Sequence, residues 1–343
     1  MKQKIIVTGG CGYIGSHTVV ELITHNFEVV ILDDLSNSNI KTLDRIAKIT
    51  GIRPIFEQLD LKNSEQTKAV FQKHKDTAAV VHFAAYKAVA ESVQNPVMYY
   101  KNNFFSLLNT LEAQLEQGIN NFIFSSSATV YGEPKKLPIT EENQVQRPFS
   151  PYGNTKKIAE EILEDMVKAH QDFSTISLRY FNPIGAHLSG NLGELPNGIP
   201  NNLMPYITQT AAGIRKELQV FGNDYDTKDG TAIRDYIHVV DLADAHVKTV
   251  KRLLNKKQEK SLEIFNLGTG NGYTVLEVIQ SFEKITKKPL NYKIVSRRAG
   301  DVPALYASTE LAKEKLNWET QLNIDDMVAS SWKWEENLKN EKN

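Results

Sequence analysis

The chain is short of several things, and each shortage excludes something. Among 343 residues there is one cysteine, Cys11. No intramolecular disulfide can form, which suits a reducing compartment. Charges nearly cancel, with 40 Lys and Arg against 41 Asp and Glu, and the basic residues are spread out. Nothing advertises an anionic partner, so neither nucleic acid nor a membrane surface is expected. No apolar run approaches the ~20 residues that span a bilayer. The apolar stretch after Met1-Lys2-Gln3-Lys4 is too short for a signal peptide. A soluble cytoplasmic protein without a metal is expected.

What is present alternates. The β-branched run Ile5-Ile6-Val7-Thr8 reads as a buried parallel strand. Gly9, Gly12 and Gly15 follow with G-x-x-G-x-x-G spacing, before a helical stretch over 16–25. Such glycines permit a sharp turn and close backbone approach to a pyrophosphate at a helix N-terminus. Cys11, inside the loop, reads as a small loop residue. A second strand over 28–32 ends at Asp33-Asp34. An acid about 20 residues beyond the glycines is placed to accept from ribose hydroxyls and repel a 2′-phosphate, favouring NAD over NADP. Asn37 and Ser38 are polar candidates for the same end of the cofactor.

Strands over 54–61 and 79–85 come next. Asp60 closes the first, where an acid accepts from an adenine amino group. The second ends in small residues, with Lys87 just beyond, in reach of ribose or phosphate. His82, with apolar neighbours, reads as a satisfied core histidine. A long helix over 96–117 sets Asn102 and Asn103 into an apolar-rich face. A buried asparagine needs partners, and one of the two is expected on backbone or cofactor. The strand over 121–127 ends in Ser125-Ser126-Ser127, and ligands bind beyond the carboxyl ends of parallel strands. After a sixth strand over 174–179 the texture changes: residues 183–202 are rich in Gly, Pro and Asn. The length suggests two domains, with a boundary near Tyr180. The first, 1–180, is rejoined by about 236–266; the second is mainly 181–343.

Tyr152 and Lys156 stand four apart at the start of a helix expected to run to about 170, so both project from one face. A free phenol ionises near pH 10, and bringing it to about 7 takes roughly 4 kcal/mol of differential stabilisation. A neighbouring ammonium supplies part of that. Alone, the pair reads equally as an ordinary amphipathic helix start. The glycine loop and the hydroxyl-rich strand end give it context.

The glycine loop, Ser127, and Tyr152 with Lys156 together resemble the extended short-chain dehydrogenase/reductases. The stretches TGGCGYIGSHT, FSSSATVYG, PYGNTK, RYFNPIGAH, NNLMPY, FGNDYDTKDGTAIRDYIHV, NLGTGNGYTVLEV and RRAGDVPALYA resemble the UDP-glucose 4-epimerase family over nearly the whole chain. That resemblance implies an α/β fold: a Rossmann-type doubly wound parallel sheet carrying NAD, with a smaller C-terminal lobe binding a UDP-sugar. It implies a homodimer through the helices near 97–117 and 153–170. It makes Tyr152 the catalytic base and acid, places Ser127 at the sugar 4-hydroxyl, and puts Lys156 on the nicotinamide ribose. Besides the three glycines, Tyr13, Ile14, Asp33, Asn37, Ser38, Asp60, Leu61, Phe83, Ala84, Lys87, Asn102, Tyr180 and Phe181 match cofactor positions. Asn182, Asn202, Leu203, Phe221, Arg234, Tyr236, Arg298 and Asp301 match UDP-sugar positions. Two positions depart. Asp34 stands where asparagine is frequent, and Leu305 occupies the place that gates the sugar C2 substituent, filled in the family by tyrosine or a small residue.

The activity this implies is reversible interconversion of UDP-glucose and UDP-galactose at C4, through a 4-ketose and tightly held NAD. Broader action on UDP-N-acetylhexosamines is the alternative. A 4,6-dehydratase or decarboxylase is the nearest rival, but it needs acids after the serine, where this chain has Ala128 and Thr129. A non-catalytic NAD-sensing protein and a reductase that releases its cofactor are more distant.

Overall fold

The computed structural model describes residues 2–134, 136–298 and 301–342. The chain divides into two compact units. One comprises Met1–Gly132, Glu141–Tyr180 and Ala243–Phe265; the other comprises Glu133–Thr140, Phe181–Leu242 and Asn266–Asn343.

The first unit alternates strand and helix: β1 (Lys4–Thr8), α1 (Tyr13–Thr24), β2 (Glu28–Asp33), α2 (Lys41–Thr50), β3 (Ile55–Gln58), α3 (Ser64–Lys73), β4 (Thr77–His82), α4 (Val89–Gln94), α5 (Pro96–Glu116), β5 (Asn121–Ser127), a 3-10 turn (Ala128–Tyr131), α6 (Pro151–Ala169) and β6 (Ser174–Tyr180). Most of α8 (Val239–Leu254) and β10 (Leu262–Leu267) also falls within it. The seven-stranded sheet has the order β10-β6-β5-β4-β1-β2-β3. All pairings from β6 to β3 are parallel.

Strand order reverses at β1 and β4, the switch point where open α/β sheets bind ligands beyond their carboxyl ends. Helices cover both faces. Consecutive strand residues point to opposite sides: Arg179 meets Glu160 of α6 and Tyr180 meets His246 of α8. The core on the α3, α5 and α6 side is built from Phe71, Leu111, Phe122, Phe124, Leu163 and Phe173. This is the Rossmann-type, doubly wound α/β sheet expected from the sequence.

The second unit holds β7 (Asn182–Ile184), α7 (Leu203–Ala211), β8 (Leu218–Phe221), β9 (Ile233–His238), β11 (Gly272–Thr274), α9 (Val275–Thr286), β12 (Tyr292–Val295), β13 (Ala304–Leu305), α10 (Glu310–Leu316) and α11 (Ile324–Lys342). Strand β9 is its hub, with β11 antiparallel to it and β7 and β13 parallel. Strands β8 and β12 form a parallel pair. Met204, Ile207, Val220, Tyr236, Phe282 and Met327 belong to its core. Residues 133–140 cluster here because Ile139 donates to the Tyr306 carbonyl and accepts from Ser308. No helix among the described residues is long and apolar enough to cross a membrane.

Three expected elements differ in extent. The helix expected over 204–216 is α7, and it stops at Ala211. Gly213, at φ +78°, turns the chain away in the left-handed region. The strand expected over 79–85 ends at His82, because the Ala84 N–H turns inward to the Thr8 hydroxyl. Within the glycine- and proline-rich stretch 183–202 the first residues pair with β9 as β7, since a hub strand left unpaired would bury open backbone groups.

Of the adjacent pair Asn102 and Asn103 on α5, Asn103 is the one whose side chain bonds backbone. Its amide accepts from Tyr86 N at 2.8 Å and donates to Tyr86 O at 3.1 Å and Thr155 Oγ1 at 2.9 Å. It ties the segment after β4 to α6. Replacing a buried bonded amide strands its partners, at about 1–3 kcal/mol. Asn103→Ala is therefore expected to lower unfolding free energy by about 2 kcal/mol, read from the urea midpoint. A loss below about 0.5 kcal/mol, the level of an ordinary surface change, would show that the strut carries no load.

Candidate functional site

In the first unit the glycine loop leaves β1 and enters α1. Gly9 lies at φ +68°, and a Cβ there would stand 2.8 Å from Ala84 N; a Cβ on Gly15 would stand 2.3 Å from Gly9 O. Neither position accepts a side chain, so the loop stays tight against the end of β4. Gly12 caps α1 with no side-chain hydrogen bond, and no acid stands in the first turn. Those N–H groups suit a phosphate. Tyr13 and Ile14 open the helix; the Lys87 ammonium lies 5.9 Å from the Tyr13 ring.

Asp33 fastens this loop to β2. Its carboxylate accepts from Cys11 N at 2.9 Å, Leu35 N at 3.0 Å and Ser38 Oγ at 2.7 Å. Burial pushes its pKa up, and those hydrogen bonds oppose the shift. Cys11 is buried, and its thiol is pushed up by burial and by Asp33, so it sits in the loop as an inert small residue. Asn37 is exposed beside Ser38. Asp34 is occupied locally, accepting from the Ser36 N–H and hydroxyl. Asp60 pairs with Lys62, whose ammonium also donates to Asn102 Oδ1 at 3.0 Å. Leu61 is buried and Ala84 half-buried. Phe83 packs its ring 4.9 Å from His246. His82 bonds Thr8 Oγ1 at 2.9 Å between the rings of Phe122 and Phe124. Burial and the nearby Lys156 lower its pKa to about 3. The cradle fits a dinucleotide: backbone donors, a tight turn and the Asp33 carboxylate stand together at the switch point.

The carboxyl ends of β5 and β6 carry the hydroxyls. Ser150 caps α6 by accepting from Gly153 N, and Pro151 fills the first turn. This fixes Tyr152 and Lys156 one turn apart. Lys156 is buried and donates to Ser125 O at 2.6 Å, with the Phe124 ring at 4.8 Å. Ser127 Oγ accepts from Thr129 N at 3.2 Å and Thr129 Oγ1 at 3.0 Å. Tyr180 bonds His246 through its hydroxyl. Burial pushes the Tyr152 phenol above its ordinary value, and the nearby Ser127 hydroxyl opposes that. Burial lowers the Lys156 ammonium to about 7, with the Glu160 carboxylate raising it. Burial therefore outweighs the lowering of the phenol expected from Lys156.

In the second unit Asp301 bridges two arginines. It accepts from Arg298 Nε at 3.1 Å and Nη2 at 3.0 Å, and from Arg234 Nη2 at 3.3 Å. Arg234 is further held by the carbonyls of Ile233 and Val302, each at 2.8 Å. The Arg298 guanidinium lies 5.6 Å from the Phe221 ring. Two cations on one carboxylate leave a net positive patch suited to a diphosphate. Asp301 thus holds the two arginines together. Asn182 pairs with Tyr236, and Leu305 with Arg234. Phe181 donates to Leu267 O at 3.1 Å. Asn202 donates to Glu194 at 2.6 Å as Leu203 begins α7. Ala299 and Gly300 of the arginine motif lie outside the described residues.

Three contributors escaped the sequence reading. Thr129 aims Ser127. Asp235, buried between Arg234 and Tyr236, accepts from Thr269 N, Gly270 N and Ala307 N and so fixes the loops around Leu305. Glu160 and Arg179 form a buried ion pair beneath Ser126. The available signals were an arginine inside an apolar strand and an acid one turn beyond Lys156.

Comparison with known proteins follows the same lines. The family model described as GDP-mannose 4,6 dehydratase matches residues 6–331. A UDP-glucose 4-epimerase of Drosophila melanogaster is 48% identical over 337 residues, 96% of each chain. The structure of UDP-glucose-4-epimerase from Stenotrophomonas maltophila, with bound NAD and formylated UDP-arabinopyranose, superimposes with a TM-score of 0.95 at 44% identity, covering 99% of each chain. That from Bifidobacterium longum, in complex with NAD+ and UDP, gives a TM-score of 0.94 at 45% identity, covering 98% of this chain and 99% of that one.

Proposed function

Because the chain belongs to the UDP-glucose 4-epimerase family, we propose that it interconverts UDP-glucose and UDP-galactose by inverting the sugar at C4. The observation that carries this is Tyr152 and Lys156 one turn apart on α6, with Lys156 buried and anchored to Ser125 O two residues before Ser127. Tyr152 takes the proton of the sugar 4-hydroxyl and returns it at the end. Ser127, aimed by Thr129, orients that hydroxyl. Bound at the glycine loop, NAD would supply the hydride chemistry that carries C4 through a 4-ketose with inversion. Gly9, Gly12, Gly15 and Asp33 would hold it, and Asp33 excludes a 2′-phosphate. Arg234, Arg298 and Asp301 are assigned to the UDP moiety, so binding energy is spent away from the sugar that must turn over.

The family model carries a dehydratase's name, and one observation weighs against that activity. Water elimination needs a proton donor beside the serine. Here Ala128 is buried and the Thr129 hydroxyl is spent on Ser127.

The same helices that carry Tyr152 and Asn103 are read as a homodimer surface. On α4 and α5, Val93, Val97, Phe105 and Leu108 are 59%, 64%, 49% and 44% exposed, apolar side chains of the kind an interface buries. Light scattering is expected to return twice the 38.7 kDa chain mass. A monomer at micromolar concentration would end this assignment.

Tyr152→Phe removes one hydroxyl and is expected to fold and to lose turnover by about 10²–10⁴-fold, the usual worth of general acid–base catalysis. Turnover near the parent at neutral pH would falsify the role of Tyr152.

Leu305 sets the second expectation. Leucine is shorter than tyrosine and bulkier than serine, and gives an acetamide no hydrogen-bond partner. UDP-galactose is expected to be favoured over UDP-N-acetylgalactosamine by about 1–3 kcal/mol in kcat/KM. Leu305→Ser is expected to narrow that ratio by raising the N-acetyl value. If the mutation damages both activities equally and lowers Tm, Leu305 is a packing residue only.

A further inference from the structure

The buried ion pair beneath the reactive hydroxyls does more than fill space. Glu160 Oε1 accepts from Ser126 Oγ at 2.5 Å and Arg179 Nε at 3.0 Å, while Oε2 accepts from Arg179 Nη2 at 2.7 Å. Arg179 Nη1 donates to the Tyr131 hydroxyl at 2.8 Å, and the guanidinium lies 4.8 Å from that ring. Ser126, Tyr131, Glu160 and Arg179 are all buried. One carboxylate therefore joins α6, β5, β6 and the 3-10 turn at a single point.

Three members of this clamp stand beside, or one turn from, residues of the proposed chemistry. Ser126 stands between Ser125, whose carbonyl anchors Lys156, and Ser127. Arg179 precedes Tyr180. Glu160 is one helical turn beyond Lys156 and shares its face. Both carboxylate oxygens are occupied, so Glu160 acts on Lys156 by holding the strand that anchors it and by its charge through a dry interior. A buried ion pair is a poor way to gain stability, because an apolar pair of the same volume serves as well or better. Its presence here calls for another role.

We propose that Glu160, clamped by Arg179 and Ser126, is a positioning residue that keeps Lys156 in place and charged, and through Lys156 makes Tyr152 competent for proton transfer. This rests on the reading of Tyr152 and Lys156 given above. The titratable and charged groups around Lys156 are few. His82 faces it from β4 and is kept neutral by burial. Tyr152 lies on its own helix. Tyr180 of β6 is a buried phenol held above its ordinary value. Arg179 of β6 is committed to Glu160. The Ser125 carbonyl and the Phe124 ring complete the surroundings. Against burial, the Glu160 carboxylate favours the ammonium.

The sign follows. Removing the negative charge leaves Arg179 uncompensated, so Lys156 releases its proton at lower pH. The alkaline fall of the kcat profile must then begin at lower pH.

The test compares kcat–pH profiles of the full-length protein, Glu160→Gln, Glu160→Asp and Tyr152→Phe. Glu160→Gln is expected to move the alkaline limb down by about one pH unit, a tenfold change in proton affinity. Glu160→Asp, which keeps the charge, is expected to restore the limb even where its Tm stays low. A Glu160→Gln limb that coincides with the parent's while Tm falls would overturn the proposal and leave a purely structural pair. Ser126→Ala provides the second reading, and the decisive one if Glu160→Gln does not fold. It spares the ion pair and is expected to cut kcat about tenfold with KM unchanged; an unchanged kcat would also overturn the proposal. Tyr152→Phe separates the two levels. If it stays active, the reading beneath fails. If it is inactive while Glu160→Gln keeps the parental limb, only the role of Glu160 fails.

Discussion

The hydrogen bond from the Lys156 ammonium to the Ser125 carbonyl joins helix α6 to the end of strand β5, and much of the first unit can be understood from it. A buried ammonium is costly unless it is bonded and balanced. The carbonyl supplies the bond, the Phe124 ring a soft face, and Glu160 the opposing charge. Meeting those demands fixes the start of α6 against the sheet, and Tyr152 is one turn away on the same rigid element. The cap at Ser150 and the strut at Asn103 hold the helix from its other sides. A reactive pair on a helix clamped in this way keeps its geometry without help from mobile loops.

The second unit solves a different problem with a different device. Its arginines are presented by β9 and by the segment before β13, and Asp301 keeps them together without cancelling them. Asp235, sunk beneath β9, accepts four hydrogen bonds from residues of two loops. A buried carboxylate so fully bonded is one of the few ways to make loop backbone as rigid as a strand. Rigid arginines and a rigid β13 are what a nucleotide handle and a size-selective wall would require.

Much of this was legible in the sequence, for reasons that differ by residue. The glycine loop was legible because its spacing has a steric cause: Gly9 and Gly15 touch backbone where any Cβ would collide. The strands were legible because buried parallel strands are continuous apolar runs. Tyr152 with Lys156 was legible as a pair only once Ser127 was set beside it. Local signals failed where tertiary contacts decide. Nothing near Ile139 says that it pairs with Ala307, and nothing near Asn103 says which of two adjacent asparagines faces the backbone of Tyr86. The burial that raises the Tyr152 phenol is likewise invisible to a reading of charges by their spacing.

The central claim is that this chain is an epimerase whose nucleotide stays bound through the cycle. The direct measurement is incubation of the purified protein with UDP-galactose, no nucleotide added, following the appearance of UDP-glucose. The account predicts conversion to an equilibrium mixture of the two sugars, with no reduced nucleotide accumulating in solution. Conversion that begins only when NAD or NADP is supplied, or that releases one reduced nucleotide per sugar, would contradict it.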